Sequence, residues 1–331
     1  MAGVRQRPAL SVVGGGLGAG KTSLIARLLE QPGMGRTGVV VNEFGEFGVD
    51  DLMLGSSAPD AQLALLRNGC ICCRPGNDLS EAVRKMIAAA PEPLVRILVE
   101  TSGVAELSAV LAKIGADHVL RGMVRLDAAI AVVDATAPDE TRAEHIACAD
   151  RIVVTKTDLV VPIAAAAIRR RIAAMNPTVP ILDGQARPDP DVLFNAGLID
   201  GRSGEVQADA WLRAQGSVHV HHHGEYPDSI RSWLIETGPQ DWTQLSQHIA
   251  RMSRAAGPAL LRLKGIVADR DDARPLALQM VRYQIYRPVR LTREAGDGRS
   301  RIVVIARATA APAVEALAKR LSAAEVAIEV P

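Results

Sequence analysis

Apolar runs alternate with helical patterns over the first two hundred residues of the chain. Several runs are continuous and β-branched, such as Ile-Ala-Val-Val at 130–133, which is typical of strands that are buried on both faces. The predicted strands are Ala9–Gly14, Gly38–Asn42, Leu63–Leu66, Leu94–Glu100, Ala128–Asp134, Arg151–Thr155 and Val179–Leu182. The predicted helices are Lys21–Gln31, Asp78–Ala90, Glu106–Ile114, Pro138–Cys148 and Pro162–Met175. This alternation predicts an α/β fold, in which a mostly parallel sheet carries helices on both faces.

The pattern of apolar positions changes near residue 200. The loop sequence Gly201-Arg202-Ser203-Gly204 leads into a polar stretch with several histidines that ends near Pro227. The strands predicted beyond it are Ile230–Glu236, Leu260–Val267, Met280–Tyr286 and Arg301–Ala306, and the helices cover 241–256 and 311–322. We therefore expect an α/β domain at 1–205, a histidine-containing linker at 206–228, and a smaller α+β domain with an antiparallel sheet at 229–331.

The segment from Gly15 to Thr22 lies between the first predicted strand and the first predicted helix. It matches the phosphate-loop pattern, in which glycines let backbone N–H groups converge on phosphate oxygens at the start of a helix. We expect the Lys21 ammonium to neutralise the terminal phosphates and the Thr22 hydroxyl to bind Mg²⁺. The residues predicted to bind nucleotide here are Gly15, Gly18, Ala19, Gly20, Lys21, Thr22 and Ser23. The first domain is therefore predicted to be a P-loop NTPase.

Acidic residues follow two other predicted strands of this domain. Glu100 ends a buried strand, where it is expected to hold Mg²⁺ or its water, and Gly103 is expected to donate its N–H to the γ-phosphate. The loop at 42–51 contains Glu46 and Asp50. These two carboxylates are candidate catalytic residues, since a loop near the γ-phosphate can bind Mg²⁺ or orient the attacking water. The alternative is a solvated acidic loop.

A base-recognition sequence follows the predicted strand that ends at Thr155. Residues 155–158 read Thr-Lys-Thr-Asp, where GTPases commonly have Asn-Lys-x-Asp. Asp158 is expected to accept hydrogen bonds from guanine N1–H and N2–H₂, and the Lys156 stem to lie along the ring. Because Thr155 replaces the usual asparagine, ATP stays an alternative to GTP.

Three cysteines lie within four residues, between the loop at 42–51 and Glu100. Cys70, Cys72 and Cys73 can all reach one soft ion such as Zn²⁺, but they leave its fourth position open, which is typical of a site that exchanges metal. A redox pair and inert buried thiols are the alternatives. Cys148 lies in an Ala-rich helical stretch and is interpreted as a core residue.

A histidine tract occupies residues 219–223. In an extended backbone His219, His221 and His223 would lie on one face, and imidazole binds Zn²⁺, Co²⁺, Ni²⁺ and Cu²⁺. The tract therefore predicts a weak metal site, with a solvated linker as the alternative.

Composition excludes several classes of protein. The 331 residues include 38 basic and 37 acidic side chains, and 3% are aromatic. This balance provides no basis for binding nucleic acid or an anionic membrane. The apolar run at 9–20 is rich in glycine, so a strand with a phosphate loop explains it better than a signal peptide does. We expect a cytoplasmic protein.

Together these motifs resemble the CobW-type metallochaperone GTPases, which are relatives of the nickel-insertion GTPases for urease and hydrogenase. The resemblance rests on Gly-Leu-Gly-Ala-Gly-Lys-Thr at 16–22, Asn-Glu-Phe-Gly-Glu at 42–46, Gly-Cys-Ile-Cys-Cys at 69–73, Glu-Thr-Ser-Gly at 100–103 and Thr-Lys-Thr-Asp-Leu at 155–159. The sequences Leu-Lys-Gly-Ile at 263–266 and Leu-Gln-Met-Val at 278–281 resemble the C-terminal domain of that family. Gly16 stands where many members have phenylalanine, and residues 183–185 do not show the usual Ser-Ala guanine loop.

The resemblance implies GTP-dependent capture of Zn²⁺ or Co²⁺ at the cysteines and delivery to a client metalloprotein or cofactor-biosynthesis enzyme. A nucleotide-dependent homodimer is a further hypothesis. The alternative function is a regulatory P-loop NTPase whose cysteines sense metal or redox state without transferring metal. A kinase is a weaker alternative function, since the sequence shows no Arg-rich lid segment.

Overall fold

A computed structural model describes most of both predicted domains, in segments. The described residues are 7–42, 62–66, 78–137, 143–177, 179–186, 189–194, 230–286, 288–291 and 298–326. They divide into two compact units, and each unit is built on one sheet. No helix in these segments is long and apolar enough to cross a lipid bilayer.

The first unit contains a seven-stranded sheet in which every pair of neighbouring strands is parallel. The strands are β1 (Ala9–Gly14), β2 (Thr37–Asn42), β3 (Gln62–Leu66), β4 (Arg96–Glu100), β5 (Arg125–Asp134), β6 (Arg151–Thr155) and β7 (Ile181–Asp183). Their order is β3-β2-β4-β1-β5-β6-β7. The chain therefore places β4, β2 and β3 on one side of β1 and β5, β6 and β7 on the other, and ligands of such sheets bind beyond the carboxyl ends of the central strands.

Helices cover both faces of this sheet. They are α1 (Lys21–Leu29), α2 (Asp78–Ala89), α3 (Leu107–Ala116), α4 (His118–Met123), α5 (Ala143–Cys148), α6 (Pro162–Met175) and α7 (Pro190–Leu193). Val13 and Leu98 pack in one buried cluster with Leu24 of α1. Their neighbours in the strands, Val12 before Val13 and Val99 after Leu98, point to the opposite face and are equally buried. The prediction of an α/β sheet buried on both faces is confirmed.

A buried cation joins α7 to this sheet. Phe194, directly after α7, is fully buried, and the guanidinium carbon of Arg96 lies 4.0 Å from the centroid of its ring. Arg96 also donates from Nη1 to the sulfur of Met34 at 3.0 Å. The last described residue of this unit is thus fixed against the first residue of β4.

The second unit combines an antiparallel sheet with two helices. The strands are β8 (Ile230–Thr237), β9 (Leu260–Val267), β10 (Leu276–Val281), β11 (Gln284–Ile285), β12 (Val289–Arg290) and β13 (Ser300–Arg307), and the helices are α8 (Trp242–Ala256) and α9 (Ala311–Val326). The order of the strands in the sheet is β11-β10-β9-β13-β8, and β12 also pairs with β10. This confirms the predicted α+β domain.

The sequence around α8 contains a capping residue and an apolar spacing that favour a helix. Asp241 precedes α8, and the Asp241 carboxylate accepts a hydrogen bond from the backbone N–H of Gln244 at 2.7 Å, which caps the first turn. Leu245, Ile249 and Met252 are spaced four and three residues apart, and all three are buried. This spacing gives the helix one apolar face, which packs against the sheet.

Most predicted elements agree with the structure to within a few residues at their ends, but the predicted strand Met280–Tyr286 is wrong. Strand β10 ends at Val281 and reverses, so that Val281 pairs with Gln284 in β11. Arg282 makes this turn with a positive φ of 50°. The turn lacks the Asn or Gly that usually marks a two-residue hairpin, so the sequence pattern shows no break there.

Candidate nucleotide-binding site

Three strands of the parallel sheet, β1, β4 and β6, bring their predicted site residues to one edge. The register places Val13 opposite Glu100, and Asp134 opposite Thr155. The loop from Gly15 onwards leaves β1 at this same edge and enters α1. The phosphate loop, the Walker-B-like carboxylate and the base-recognition sequence therefore converge where the topology predicts a ligand site.

The phosphate loop presents an uncapped helix start. Gly20 precedes α1 with a φ of 89°, and no side chain caps the helix there, in contrast to Asp241 before α8. The buried Lys21 ammonium donates to the carbonyls of Gly15 at 3.1 Å and Gly16 at 3.0 Å. A helix start without a side-chain cap, beside a cation, is an arrangement suited to phosphate.

Two glycines are required by close backbone contacts. A Cβ on Gly15 would lie 2.3 Å from the Val132 carbonyl oxygen, and the φ of Gly15 is +152°. A Cβ on Gly103 would lie 2.6 Å from Cα of Leu17. Gly103 thus lies directly against the phosphate loop, as its predicted contact with the γ-phosphate requires.

Thr22 and Glu100 form the candidate magnesium site. The Thr22 hydroxyl donates to Glu100 Oε1 at 2.8 Å, and both side chains are buried. A hydroxyl and a carboxylate supply the hard oxygen ligands that Mg²⁺ prefers. The residues present therefore fit the ion that the phosphate-loop motif implies.

Thr155 ties the base-recognition sequence to the phosphate loop. Its hydroxyl donates to the Ala19 carbonyl at 2.8 Å, so this threonine supplies a hydrogen bond between the two loops from the position where asparagine is usual. The next residue, Lys156, has a left-handed backbone with a φ of 56°, and its Nζ lies 2.6 Å from Asp134 Oδ2. Burial raises the pKa of Asp134, but hydrogen bonds from Lys156 and Thr136 outweigh burial and hold this pKa below its ordinary value.

The loop after β7 contacts Asp158. Gly184 donates from its N–H to the Val154 carbonyl at 2.7 Å, and a Cβ on Gly184 would lie 2.9 Å from that same oxygen. The next residue, Gln185, donates from its side-chain amide to Asp158 Oδ1. No residue of this loop was predicted to bind the base, and the structure places the loop beside the predicted base-binding carboxylate.

A buried histidine lies beneath the phosphate loop. His145 of α5 is 7% exposed, and its Nδ1 lies 3.4 Å from where a Cβ on Gly14 would be. Its neighbour Glu144 accepts hydrogen bonds from the N–H groups of Leu107 at 3.1 Å and Ser108 at 2.9 Å, at the start of α3. His145 could not be assigned from the sequence, because a single histidine in an Ala-rich helix shows no spacing that indicates a site.

The pKa of His145 is below its ordinary 6.5, mainly because of burial. Glu144 opposes this shift, Lys21 adds to it and Glu106 opposes it. The unfolded chain therefore takes up a proton near pH 6.5 while the folded chain does not. The free energy of unfolding should then fall as pH drops below about 6.5.

His145→Gln should remove this contribution and flatten the stability profile between about pH 6.5 and pH 5. Urea unfolding of both proteins across this range measures the difference. His118→Gln, at an exposed histidine, controls for the loss of a histidine as such. Parallel profiles for the wild type and His145→Gln would contradict the expectation.

Several predicted residues lie outside the described segments. They are Glu46, Asp50, Cys70, Cys72, Cys73, His219, His221 and His223. In the segments that are described, no group of three or more His, Cys, Asp and Glu side chains is placed to hold a metal ion. Cys148 is fully buried, which confirms its interpretation as a core residue.

Asp134 is a further site residue that sequence analysis did not single out. It ends β5 and accepts hydrogen bonds from Lys156 and from the Thr136 N–H and hydroxyl. The sequence did offer a signal for Asp134, because a carboxylate stands at the end of a buried apolar run there. Glu100 was predicted as a site residue from the same kind of signal.

Comparisons with known proteins agree with this geometry. A family model described as "CobW/HypB/UreG, nucleotide-binding domain" matches residues 9–183, and one described as "Cobalamin synthesis protein cobW C-terminal domain" matches residues 230–325. The zinc chaperone YjiA of Escherichia coli K12 is 29% identical over 269 residues, which cover 78% of this chain and 81% of the relative. The zinc chaperone CobW of a Sinorhizobium species is 26% identical over 299 residues, which cover 80% and 79%.

A solved structure shows the same fold. The zinc-bound YjiA GTPase from E. coli has a TM-score of 0.63 to this chain at 21% identity, and the match covers 94% of this chain and 99% of the other. The first family model alone spans more than half of the 331 residues, so the resemblance inferred from the sequence is confirmed. The chain belongs to the CobW/HypB/UreG nucleotide-binding family, and a CobW C-terminal domain follows its nucleotide-binding domain.

Proposed function

We propose that this P-loop GTPase is a cytoplasmic metallochaperone, which binds Zn²⁺ or Co²⁺ at Cys70, Cys72 and Cys73 and delivers the ion to a client metalloprotein or cofactor-biosynthesis enzyme. The observation that carries the proposal is the convergence of the Lys21 loop with Glu100 at one sheet edge, in a chain of the CobW/HypB family. Two relatives named as zinc chaperones support the metal.

The phosphate end of the site provides charge and orientation. Lys21 neutralises the terminal phosphates, the first-turn N–H groups of α1 bind phosphate oxygens, and Gly103 donates its N–H to the γ-phosphate. Thr22 and Glu100 hold Mg²⁺, which when bound offsets the negative charge of the phosphates. Glu46 and Asp50 are proposed to orient the attacking water.

The base end of the site selects guanine. Asp158 accepts from guanine N1–H and N2–H₂, which adenine cannot supply. Lys156 is held by Asp134, so its stem has a fixed direction from which to lie along the ring. Thr155 links this end to the phosphate loop.

The path of the chain supports coupling between nucleotide and metal. Strand β3 ends at Leu66, which pairs with Asn42 at the end of β2, while Val41 pairs with Glu100. The chain therefore leaves the sheet at the nucleotide edge, four residues before Cys70. We propose that bound GTP favours the metal-binding state and that hydrolysis releases the ion, which requires different metal affinities in the two states.

Titration of the protein with Zn²⁺ and with Co²⁺ tests this coupling. Metal affinity should be highest with a non-hydrolysable GTP analogue and lower with GDP or without nucleotide. Cys72→Ser should weaken Zn²⁺ binding by more than about 10-fold, since a ligand contributes at least as much as the groups that orient it. Cys148→Ala is the matched control, since Cys148 is a buried thiol that is not part of the motif. Equal affinities in all three nucleotide states would overturn the coupling.

A transfer assay separates the metallochaperone from the regulatory alternative. The metal-loaded protein is mixed with an apo metalloprotein, and the metal content of the acceptor is measured with GTP and with its analogue. GTP-dependent loading supports delivery, whereas hydrolysis without loading favours a sensor. Light scattering of the same samples tests the proposed nucleotide-dependent homodimer.

A further inference from the structure

The Asp158 carboxylate has a side-chain partner in this chain. Asp158 lies in a 3₁₀ turn, Thr157–Leu159, directly after β6, and its side chain is exposed. Gln185 donates to it from its terminal amide. A carboxylate only accepts hydrogen bonds, so the nitrogen of the amide is the end that must face it.

The backbone before Gln185 is fixed by its neighbours. The Gly184 N–H donates to the Val154 carbonyl, and any side chain at Gly184 would overlap that oxygen. The Gln185 N–H donates to Asp183 Oδ1 at 3.0 Å, and the same oxygen accepts from the Thr157 hydroxyl at 3.3 Å. The Thr157–Asp183 bond therefore joins this loop to the base-recognition turn, and the Gly184–Val154 bond joins it to β6. Together they place the amide of Gln185 beside Asp158.

The contact leaves room for a base. An ionised carboxylate has two oxygens with about four lone-pair positions. Gln185 uses one position on Oδ1, while guanine N1–H and N2–H₂ need one position on each oxygen. An exposed aspartate without such a partner samples several side-chain rotamers, and fixing it on binding costs affinity.

We propose that Gln185 is a positioning residue for guanine, because its amide holds the Asp158 carboxylate in the orientation that accepts the base. This inference rests on the proposed base site at Asp158. It assigns a function to a loop that lacks the usual guanine-loop sequence, and it makes nucleotide affinity depend on a side-chain amide.

Nucleotide titration of the full chain with Mg²⁺ tests the proposal. Gln185→Ala should weaken GDP binding by about 2- to 10-fold, the size expected when one side chain must be ordered on binding. ADP binding should not change, because adenine makes no bonds to Asp158. Gln247→Ala, an exposed glutamine of α8, is the matched control and should bind both nucleotides as the wild type does.

Gln185→Glu gives a readout that a merely structural residue would not. Above neutral pH two carboxylates face each other and repel, so GDP binding should be weaker than in Gln185→Ala. At pH 5.5 to 6 the pair can hold a shared proton, because like charges raise a carboxyl pKa. The protonated glutamic acid then donates to Asp158, and GDP affinity should recover towards that of the wild type at the same pH.

Asp158→Ala separates this inference from the proposed base site. If that variant keeps its preference for GDP over ADP, the base site itself is wrong, and so is the inference built on it. If Asp158→Ala loses the preference while Gln185→Ala binds GDP as the wild type does, only the inference fails. Tighter GDP binding by Gln185→Ala would also overturn it, since Gln185 would then compete with the base.

Discussion

Lys21→Met should lower kcat/KM for GTP hydrolysis by about 10²- to 10³-fold, the loss expected when one group that stabilises transition-state charge is removed. Lys21 is 7% exposed, and its ammonium is held by two carbonyls of the phosphate loop. The ammonium is therefore oriented before nucleotide arrives. Methionine keeps most of the aliphatic stem, so the change removes the charge and its hydrogen bonds with little loss of packing.

Steady-state phosphate release and thermal unfolding are measured on the same preparations. Arg27→Met is the matched control, because Arg27 lies in the last turn of the same helix and donates to the Ser23 carbonyl at 3.4 Å. The control should retain wild-type kcat/KM. Less than a 5-fold loss in Lys21→Met would place the charge that stabilises the transition state elsewhere.

Phe194→Ala should lower the free energy of unfolding of the first unit by about 3–5 kcal/mol, as for other large aromatic side chains in cores. Phe194 is fully buried, and its ring faces the guanidinium of Arg96, which is 4% exposed. The substitution leaves a cavity and also removes the ring that stabilises a buried cation. Two costs therefore add at one position.

Hydrogen exchange of the β4 amides is the appropriate measurement, since Trp233 and Trp242 lie in the second unit and their fluorescence follows that unit. Phe194→Leu keeps an apolar side chain and loses the cation–π contact, so it should cost less than Phe194→Ala. Val192→Ala, at a residue that is 44% exposed, is the control and should stay within about 0.5 kcal/mol of the wild type. A loss below about 1 kcal/mol for Phe194→Ala would contradict the expectation.

The parts of the site that sequence analysis found share one property. The phosphate loop, Glu100 and the sequence at 155–158 are short segments whose chemistry needs fixed spacing and a position at the end of a strand. Apolar periodicity places those strand ends, so the residues that follow them can be assigned without coordinates. The same periodicity located both sheets.

The contacts that were missed depend on residues far apart in sequence. Gln185 meets Asp158 only because β6 and β7 are neighbours in the sheet, and His145 lies under Gly14 only because α5 packs against β5, the strand next to β1. The hairpin at Arg282 was missed for a different reason, since its turn uses a positive φ at a residue that seldom adopts one. Local sequence patterns indicate neither contacts between distant residues nor an unusual backbone angle at a single residue.

The central position of β1 has a consequence for biosynthesis. Ala9 pairs with Arg96 on one side and with Arg125 on the other, so the strand that precedes the phosphate loop has no neighbour until the chain has been made as far as Arg96, and lacks its second neighbour until Arg125. Parallel pairing over such separations is slow, and an unpaired apolar strand is prone to aggregate. Nucleotide binding therefore becomes available late in synthesis, and it can serve as a measure of how completely the first unit has folded.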